Sequence, residues 1–295
     1  MTVLTTGPLT TVQDSGRPSM AALGVGRSGA CDRASYELAN RLVGNAPGAA
    51  VLEVTLGGLC LRANGELIVV TTGARCDGAK AHNAPSRLRA GEELQLGAPV
   101  SGLRTYVAVR GGFDVEPVLG SRSTDLLADL GPAVVMTGDV LAVGEPSAPM
   151  PHIDVAPVPE PAEGAITVRV MPGPRRDWFT DDAWDSLVSR AYTVSSDSNR
   201  VGIRLAGERL ERARNGELQS EGMARGALQI PPSGDPVLFL ADHPVTGGYP
   251  VIAYVVDDDV DRCAQLQPGQ TLLFRESNVG SPPRVMTATK LPRTR

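Results

Sequence analysis

A chain of 295 residues with 42% hydrophobic and 21% charged content has the apolar material for one large core or two ordinary ones, and its balance is that of a folded protein rather than a low-complexity one. The formal net charge of −5, without any basic run, gives no electrostatic basis for nucleic-acid binding. No apolar stretch approaches the roughly 20 residues of a membrane helix, and Met1-Thr2-Val3-Leu4 lacks the charged start and apolar run of a signal peptide, so a cytoplasmic protein is expected.

Gly 33 and Pro 24, with only 4% aromatic residues, point to a turn-rich, mainly β protein with a Val/Leu/Ala core. The four cysteines (Cys31, Cys60, Cys76, Cys263) form no CxxC pair, which predicts small buried thiols rather than disulfides or a metal site.

In chain order, residues 3–6 and 8–12 alternate weakly and break at the turn Gln13-Asp14-Ser15-Gly16-Arg17-Pro18. The Gly-rich segment 24–30 is not a dinucleotide fingerprint, because no strand leads into it and its glycine spacing is wrong. A helix follows: Asp32 is a good N-cap, Leu38, Ala39, Leu42 and Val43 form an apolar stripe suited to packing on a sheet, and Gly44-Asn45 ends it. Short strands are predicted at Val51–Leu56, Leu59–Arg62, Leu67–Thr72, Glu93–Leu96, Thr105–Arg110, Val134–Met136 and Val140–Val143. Such regular short strands suggest a barrel or sandwich.

Residues 146–164 are rich in proline and poor in apolar periodicity, a semi-rigid linker between a first domain at 1–145 and a second at 165–276. The second half opens with strand Ile166–Met171. Thr180 can cap a short helix bearing Trp184, Leu187 and Val188. Strands Tyr192–Ser195 and Val201–Leu205 flank the polar cluster Asp197-Ser198-Asn199-Arg200. The stretch Ala241-Asp242-His243-Pro244-Val245-Thr246-Gly247-Gly248-Tyr249-Pro250 lies between the buried-strand patterns Val237–Leu240 and Val251–Val256. Its Thr246-Gly247-Gly248 can hold positive φ and admit a ligand or a second backbone. A helix is expected at Val260–Leu266, and residues 277–295 read as a polar tail.

Several chemistries are missing. No GxxxxGK[ST], GxSxG or HExxH occurs, and the three histidines (His82, His152, His243) suit neither a hydrolase triad nor a zinc site, so no metal is expected. Three polar clusters remain: Asp14/Arg17 with Asp32, Asp197/Asn199/Arg200, and Glu221/Gln229/Asp242/Tyr249. Each alone reads more as a turn device or a solvated pair than as a site. Together, the last two sit on loops beside buried strands, where binding groups concentrate. An Arg, an Asn and the backbone amides of the Gly247-Gly248 turn would suit an anion such as a carboxylate, carboxyphosphate or bicarbonate. A carboxylate and a phenol nearby could orient an amide or take a proton.

The motifs Thr10-Thr11-Val12-Gln13-Asp14-Ser15-Gly16-Arg17-Pro18, Gly29-Ala30-Cys31-Asp32, Leu38-Ala39-Asn40-Arg41-Leu42-Val43-Gly44-Asn45, Leu52-Glu53-Val54-Thr55-Leu56-Gly57-Gly58, Ser196-Asp197-Ser198-Asn199-Arg200-Val201-Gly202, Leu218-Gln219-Ser220-Glu221-Gly222, Gly226-Ala227-Leu228-Gln229-Ile230-Pro231 and residues 241–250 occur in this order. In them the chain resembles the family of allophanate hydrolase subunit 2 and the 5-oxoprolinase C subunit, and it is similar to part of the carboxyltransferase domain of biotin-dependent urea amidolyase. Val245 and Cys31 depart from the family pattern, where Thr and Met are frequent.

The resemblance covers about residues 4–276 and implies two cyclophilin-like β-barrel domains with a few short helices. It implies ATP-dependent opening of 5-oxo-L-proline to L-glutamate, together with an allophanate hydrolase subunit 1-like protein (the 5-oxoprolinase B subunit) and a third, catalytic chain (the 5-oxoprolinase A subunit). With the residue chemistry above, it nominates Asp242, Tyr249 and Glu221 as catalytic. Asn199, Arg200, Gln229, Thr246, Gly247, Gly248, Asp14 and Arg17 are nominated for substrate or anion binding. Two other readings stay open: one part of a biotin-dependent carboxyltransferase, and a regulatory protein that sequesters a kinase-inhibitor partner.

Overall fold

A computed structural model of the chain describes residues 1–79, 82–214, 216 and 218–277. The first half runs β1 (Thr2–Thr6), β2 (Leu9–Gln13), α1 (Arg33–Leu42), β3 (Val51–Thr55), β4 (Leu59–Arg62), β5 (Leu67–Cys76), β6 (Ser86–Leu88), β7 (Glu93–Gln95) and β8 (Pro99–Val109). The second runs β9 (Ile166–Pro172), α2 (Asp181–Ser189), β10 (Ala191–Val194), β11 (Gly202–Ala206), β12 (Glu221–Gly222), β13 (Ala227–Gln229), β14 (Val237–Phe239), β15 (Thr246–Gly247), β16 (Val251–Val255), α3 (Asp257–Cys263) and β17 (Thr271–Glu276). The fold is mainly β, as expected.

In the first half, a five-stranded sheet (β2-β3-β8-β5-β6) and a three-stranded sheet (β1-β4-β7) share one core. Val12, Leu52, Val54, Val69 and Val107 of the larger sheet meet Val3, Leu59, Leu61 and Leu94 of the smaller. Alternating β-branched and leucine residues supply that inner face, at about 25 cal/mol per Å² of apolar surface removed from water. The other face of the larger sheet carries α1. Asp32 caps the helix, accepting from the Ser35 N–H at 3.0 Å, and Tyr36, Ala39, Leu42 and Val43 pack on Val51, Val70, Tyr106 and Ala108.

The second half closes into a seven-stranded barrel, β10-β11-β14-β13-β16-β9-β17, sealed by the parallel pair β17 and β9 from Leu272↔Ile166 to Glu276↔Val170. Closure leaves no free sheet edge. Val168, Val170, Leu205, Leu228, Leu238 and Leu272 fill the interior. Thr180 caps α2, its hydroxyl accepting from the Ala183 N–H at 3.1 Å.

Two expectations fail locally. Val134–Met136 and Val140–Val143 form no strands; the second contributes only isolated bridges, Thr2↔Val140 and Phe113↔Val143. Met136 and Val140 are 62% and 69% exposed while their neighbours Val135 and Leu141 pack in the first-half core, so the alternation marks an inward and an outward face without a continuous strand ladder. The helix expected at Val260–Leu266 begins at Asp257 instead. Its first turn holds Asp257, Asp258 and Asp259, which favour the positive end of the helix dipole although in sequence they read as loop. Between β8 and β9 the proline-rich segment forms no helix or strand and is tied down at points: the Ala156 N–H donates to Asn83 O at 2.8 Å, and Arg75 pairs with Glu160 at 2.8 Å. Of the expected tail, residues 278–295 lie outside the described residues. No helix among the described residues is long and apolar enough to cross a membrane.

The halves meet along a hydrogen-bonded seam. Asp261 of α3 accepts from the Arg33 and Ala34 N–H groups (2.9 and 3.2 Å), capping the α1 N-terminus from the other half. Gln265 accepts from the Leu103 and Arg104 N–H groups and donates to Asp32 at 2.7 Å.

Candidate functional site

Beneath the seam lies a buried charge network. Arg200 sits at the start of the turn into β11, and Asp242 follows β14, the strand paired with β11. Their backbones are joined by the Asp242 N–H donating to Arg200 O at 3.0 Å. The guanidinium then grips the carboxylate twice, Nε to Oδ2 at 2.9 Å and Nη2 to Oδ1 at 3.0 Å. Nη2 also donates to Gly29 O at 2.7 Å, and Nη1 to Glu53 Oε1 on β3. Glu53 accepts in addition from the Cys31 N–H (2.9 Å) and the Tyr106 hydroxyl (2.8 Å), with Arg104 Nε at 3.5 Å. Asp242 accepts from the Ser28 hydroxyl at 2.7 Å and the Leu126 N–H at 3.2 Å.

Two guanidinium and two carboxylate groups thus balance in a buried seam. Burial alone would raise the Glu53 carboxyl, but Arg200 and Arg104, with the bonds from Cys31 and Tyr106, hold it below the usual carboxylate range. Burial pushes the Cys31 thiol up to about 11.

This placement corrects three sequence expectations. Arg200 is 1% exposed and each of its donor nitrogens is engaged within the chain, so it is an internal tie and not an open anion holder. Asp242, also 1% exposed, balances that guanidinium and has no opening to a substrate. Asp14 is likewise internal, accepting from the Gly16 N–H, the Ser121 and Ser123 hydroxyls and the Arg122 N–H. Asn199 makes an Asx-type turn, its Oδ1 accepting from the Val201 N–H at 2.8 Å.

Glu221, Gln229, Thr246, Gly247 and Tyr249 are brought together. The ribbon β12–β15 pairs Glu221 with Gly247 and Gly222 with Thr246. Gln229 on β13 donates to Tyr249 O at 3.1 Å. The Glu221 carboxylate is held by Arg175 in a forked pair, while Tyr249 stands 44% exposed. Gly247 and Gly248 do not adopt the left-handed backbone expected of them. At 247 the backbone lies close to side chains of β13 and its approach, since a Cβ there would lie 2.7 Å from Gln229 Nε2 and 3.2 Å from Met223.

Beside this ribbon a cavity of about 190 Å³ opens at the seam, lined from the first half by Arg17, Met20, Gly26 and Arg27 and from the second by Met223, His243 and Val245. Arg17 is 1% exposed. Its Nε and Nη2 donate to Val118 O and Ser123 O, and its Nη1 has no partner among the described residues. His243 stacks on Phe239 (6.1 Å between centroids), and its Nδ1 lies 2.9 Å from Pro244 O. A carbonyl can only accept, so Nδ1 carries the proton and Nε2 of the neutral ring is the acceptor. Burial holds this imidazole below its usual range. The cavity therefore offers one unsatisfied guanidinium N–H and one neutral imidazole. His243 lies inside the stretch singled out in the sequence, but its role depends on a fold-level neighbour, Arg17, 226 positions earlier, and nothing local in the sequence joins them.

Residues 23–276 match the family described as carboxyltransferase domain, subdomain A and B. The chain belongs to this carboxyltransferase-domain family. Among curated relatives it is 36% identical over 280 residues to the 5-oxoprolinase C subunit of Escherichia coli (strain K12), covering 92% of this chain and 89% of that protein. It is 33% identical over 304 residues to urea amidolyase of Lachancea kluyveri, covering 92% of this chain but 16% of that protein. Two solved structures are similar: the K. lactis urea amidolyase (TM-score 0.84, 30% identical) and TTHA0988 (TM-score 0.81, 35% identical). Each match covers 92% of this chain, which spans 18% of the first structure's chain and 54% of the second's. As a member of this family, the chain corresponds to one portion of the larger multi-part relatives.

Proposed function

We propose that the chain is the C subunit of a prokaryotic-type 5-oxoprolinase, a cytoplasmic complex that couples ATP hydrolysis to the opening of 5-oxo-L-proline to L-glutamate. One observation carries this reading over the carboxyltransferase alternative: the chain spans 89% of the Escherichia coli C subunit, against 16% of the Lachancea kluyveri urea amidolyase. A carboxyl-transfer role would require biotin carried on other chains.

The seam cavity fits the substrate's chemistry. 5-Oxoproline carries one carboxylate and one lactam N–H. Arg17 Nη1 would take the carboxylate, and His243 Nε2 would accept the N–H or a proton from attacking water. Thr246 and Tyr249, exposed on the neighbouring ribbon, would close the polar rim. At about 190 Å³ the cavity is below the roughly 300 Å³ of ordinary ligand pockets, so it suits a molecule of the size of 5-oxoproline rather than a nucleotide. Partners of the B and A types supply the remaining groups.

The test is substrate choice. The chain is co-purified with its B- and A-type partners, and ATP hydrolysis is measured with 5-oxoproline, then with urea plus biotin and bicarbonate. Dependence on 5-oxoproline with glutamate formed supports the proposal. Dependence on urea and biotin instead transfers the chain to the carboxyltransferase reading.

A further inference from the structure

A second, larger cavity of about 490 Å³ lies between α1, α3 and the proline-rich segment 158–162. Its size falls among ligand pockets, roughly 300–1,000 Å³. Its polar groups are of two kinds, and α1 separates them. At the N-terminal end stand the carboxylates of Asp32 and, from α3, Asp261. Arg41 stands nine positions after Asp32, about 14 Å along the axis at 1.5 Å per residue. Its long side chain leans back toward the helix N-terminus, which shortens that span. Leu38 lies between, and the prolines 159 and 161 form the facing wall.

Two observations indicate an unmet ligand, and a third, on an exposed residue, supplies the opposite charge. Asn83 lines the cavity, is 7% exposed, and its Oδ1 has no hydrogen-bond partner among the described residues. Its backbone is fixed on both sides, the N–H donating to Thr71 O at 2.7 Å and the carbonyl accepting from the Ala156 N–H at 2.8 Å, so the main chain that carries the amide is held at the cavity wall. Asp32 accepts three hydrogen bonds, from the Ser35 N–H, the Ser35 hydroxyl and Gln265, of the roughly four that a carboxylate can take. Its carboxyl is pushed up to about 6, first by burial and then by the charge of Asp261, so a cation placed here would relieve both. Third, the Arg41 guanidinium has no hydrogen bond or ion pair among the described residues.

Acceptors at one end and an unpaired guanidinium at the other exclude two simple ligand classes. A phosphate would meet Asp32 and Asp261, and a polyamine would meet Arg41 and Arg262. We infer that this cavity binds a small zwitterionic amino acid, its ammonium on Asp32 and Asn83 and its carboxylate on Arg41. The inference stands apart from the proposed reaction and from the seam cavity.

Isothermal titration calorimetry of the whole chain with each proteinogenic L-amino acid tests it. At least one amino acid is expected to bind saturably with Kd at or below about 1 mM, and its N-acetyl and carboxamide derivatives at least about tenfold more weakly. Arg41→Ala, on the exposed side of α1, and Asn83→Gly, which keeps the positive φ of that position, are each expected to weaken binding about tenfold with unchanged circular dichroism. Absence of saturable binding by any amino acid overturns the inference. So does equal binding by the blocked derivatives, or by 5-oxoproline, which has no ammonium group. Binding that survives in both variants places the ligand elsewhere and overturns it equally.

Discussion

Arg200 and Asp242 face each other in a two-point contact at 2.9 and 3.0 Å, with side chains at most 1% exposed, and through Glu53, Gly29 and Ser28 they bind the two halves together. Breaking a buried pair from one side leaves the other charge dry and unbalanced, a loss of about 3–5 kcal/mol. Arg200→Met and Asp242→Asn are each expected to lower the unfolding free energy by that amount in urea titration. A change below about 0.5 kcal/mol, the ordinary surface value, would show that the network does not hold the seam.

Stability should depend on pH through Asp32. Its folded carboxyl titrates near 6 against an ordinary value of 3.8, so between these values the native state holds more protons than the unfolded chain. Its contribution is therefore full below about pH 4 and is lost as pH rises toward 6, by about 3 kcal/mol at roughly 1.4 kcal/mol per unit. Asn keeps the N-cap acceptor but does not titrate. Unfolding curves of wild type and Asp32→Asn should thus converge at low pH and separate above 6, with the variant the more stable. Parallel curves across this range would contradict the assignment.

The thiols offer a further check. All four cysteines are free and buried, and burial raises Cys31 to about 11 and Cys263 to about 12. Since the thiolate is the reactive form, a disulfide reagent at pH 8 should modify Cys31 and Cys263 only on unfolding. Peptide mapping after a brief native reaction measures this; rapid labelling of Cys31 would place it in an open site.

Within the assembled complex, His243→Asn is expected to reduce turnover at least tenfold while leaving the melting temperature within a few degrees, because the ring is half-buried at the cavity and outside the charge network. Arg17→Lys, which loses the planar fork, should raise KM for 5-oxoproline more than it lowers kcat. Unchanged kinetics in both variants would remove the seam cavity from the reaction.

What the sequence revealed follows from the range of each interaction. α1 was legible because its cap and stripe lie within a dozen residues, and the barrel strands because branched runs ended at Gly and Pro. The charge network was not, because Glu53 and Arg200 are 147 positions apart and Ser28 and Asp242 are 214. Glu53 sits in Val51-Leu52-Glu53-Val54, where alternation would send it to solvent, yet it is 1% exposed because Arg200 and Tyr106 cover it. Arg200 and Asp242 were recognised as distinctive residues, but polarity on a loop reads the same for a ligand holder and for a seam tie. Only the packed neighbours separate the two.

The most direct measurement of the central proposal, that this chain works as one part of a shared enzyme, compares 5-oxoproline-dependent glutamate formation by the chain alone, by its B- and A-type partners alone, and by the reconstituted mixture. The acid–base groups of the seam are largely paired off internally, so the account predicts turnover from the mixture and none above background from the separate parts. Turnover by the isolated chain equal to that of the mixture, or by the partners without it, would contradict the account.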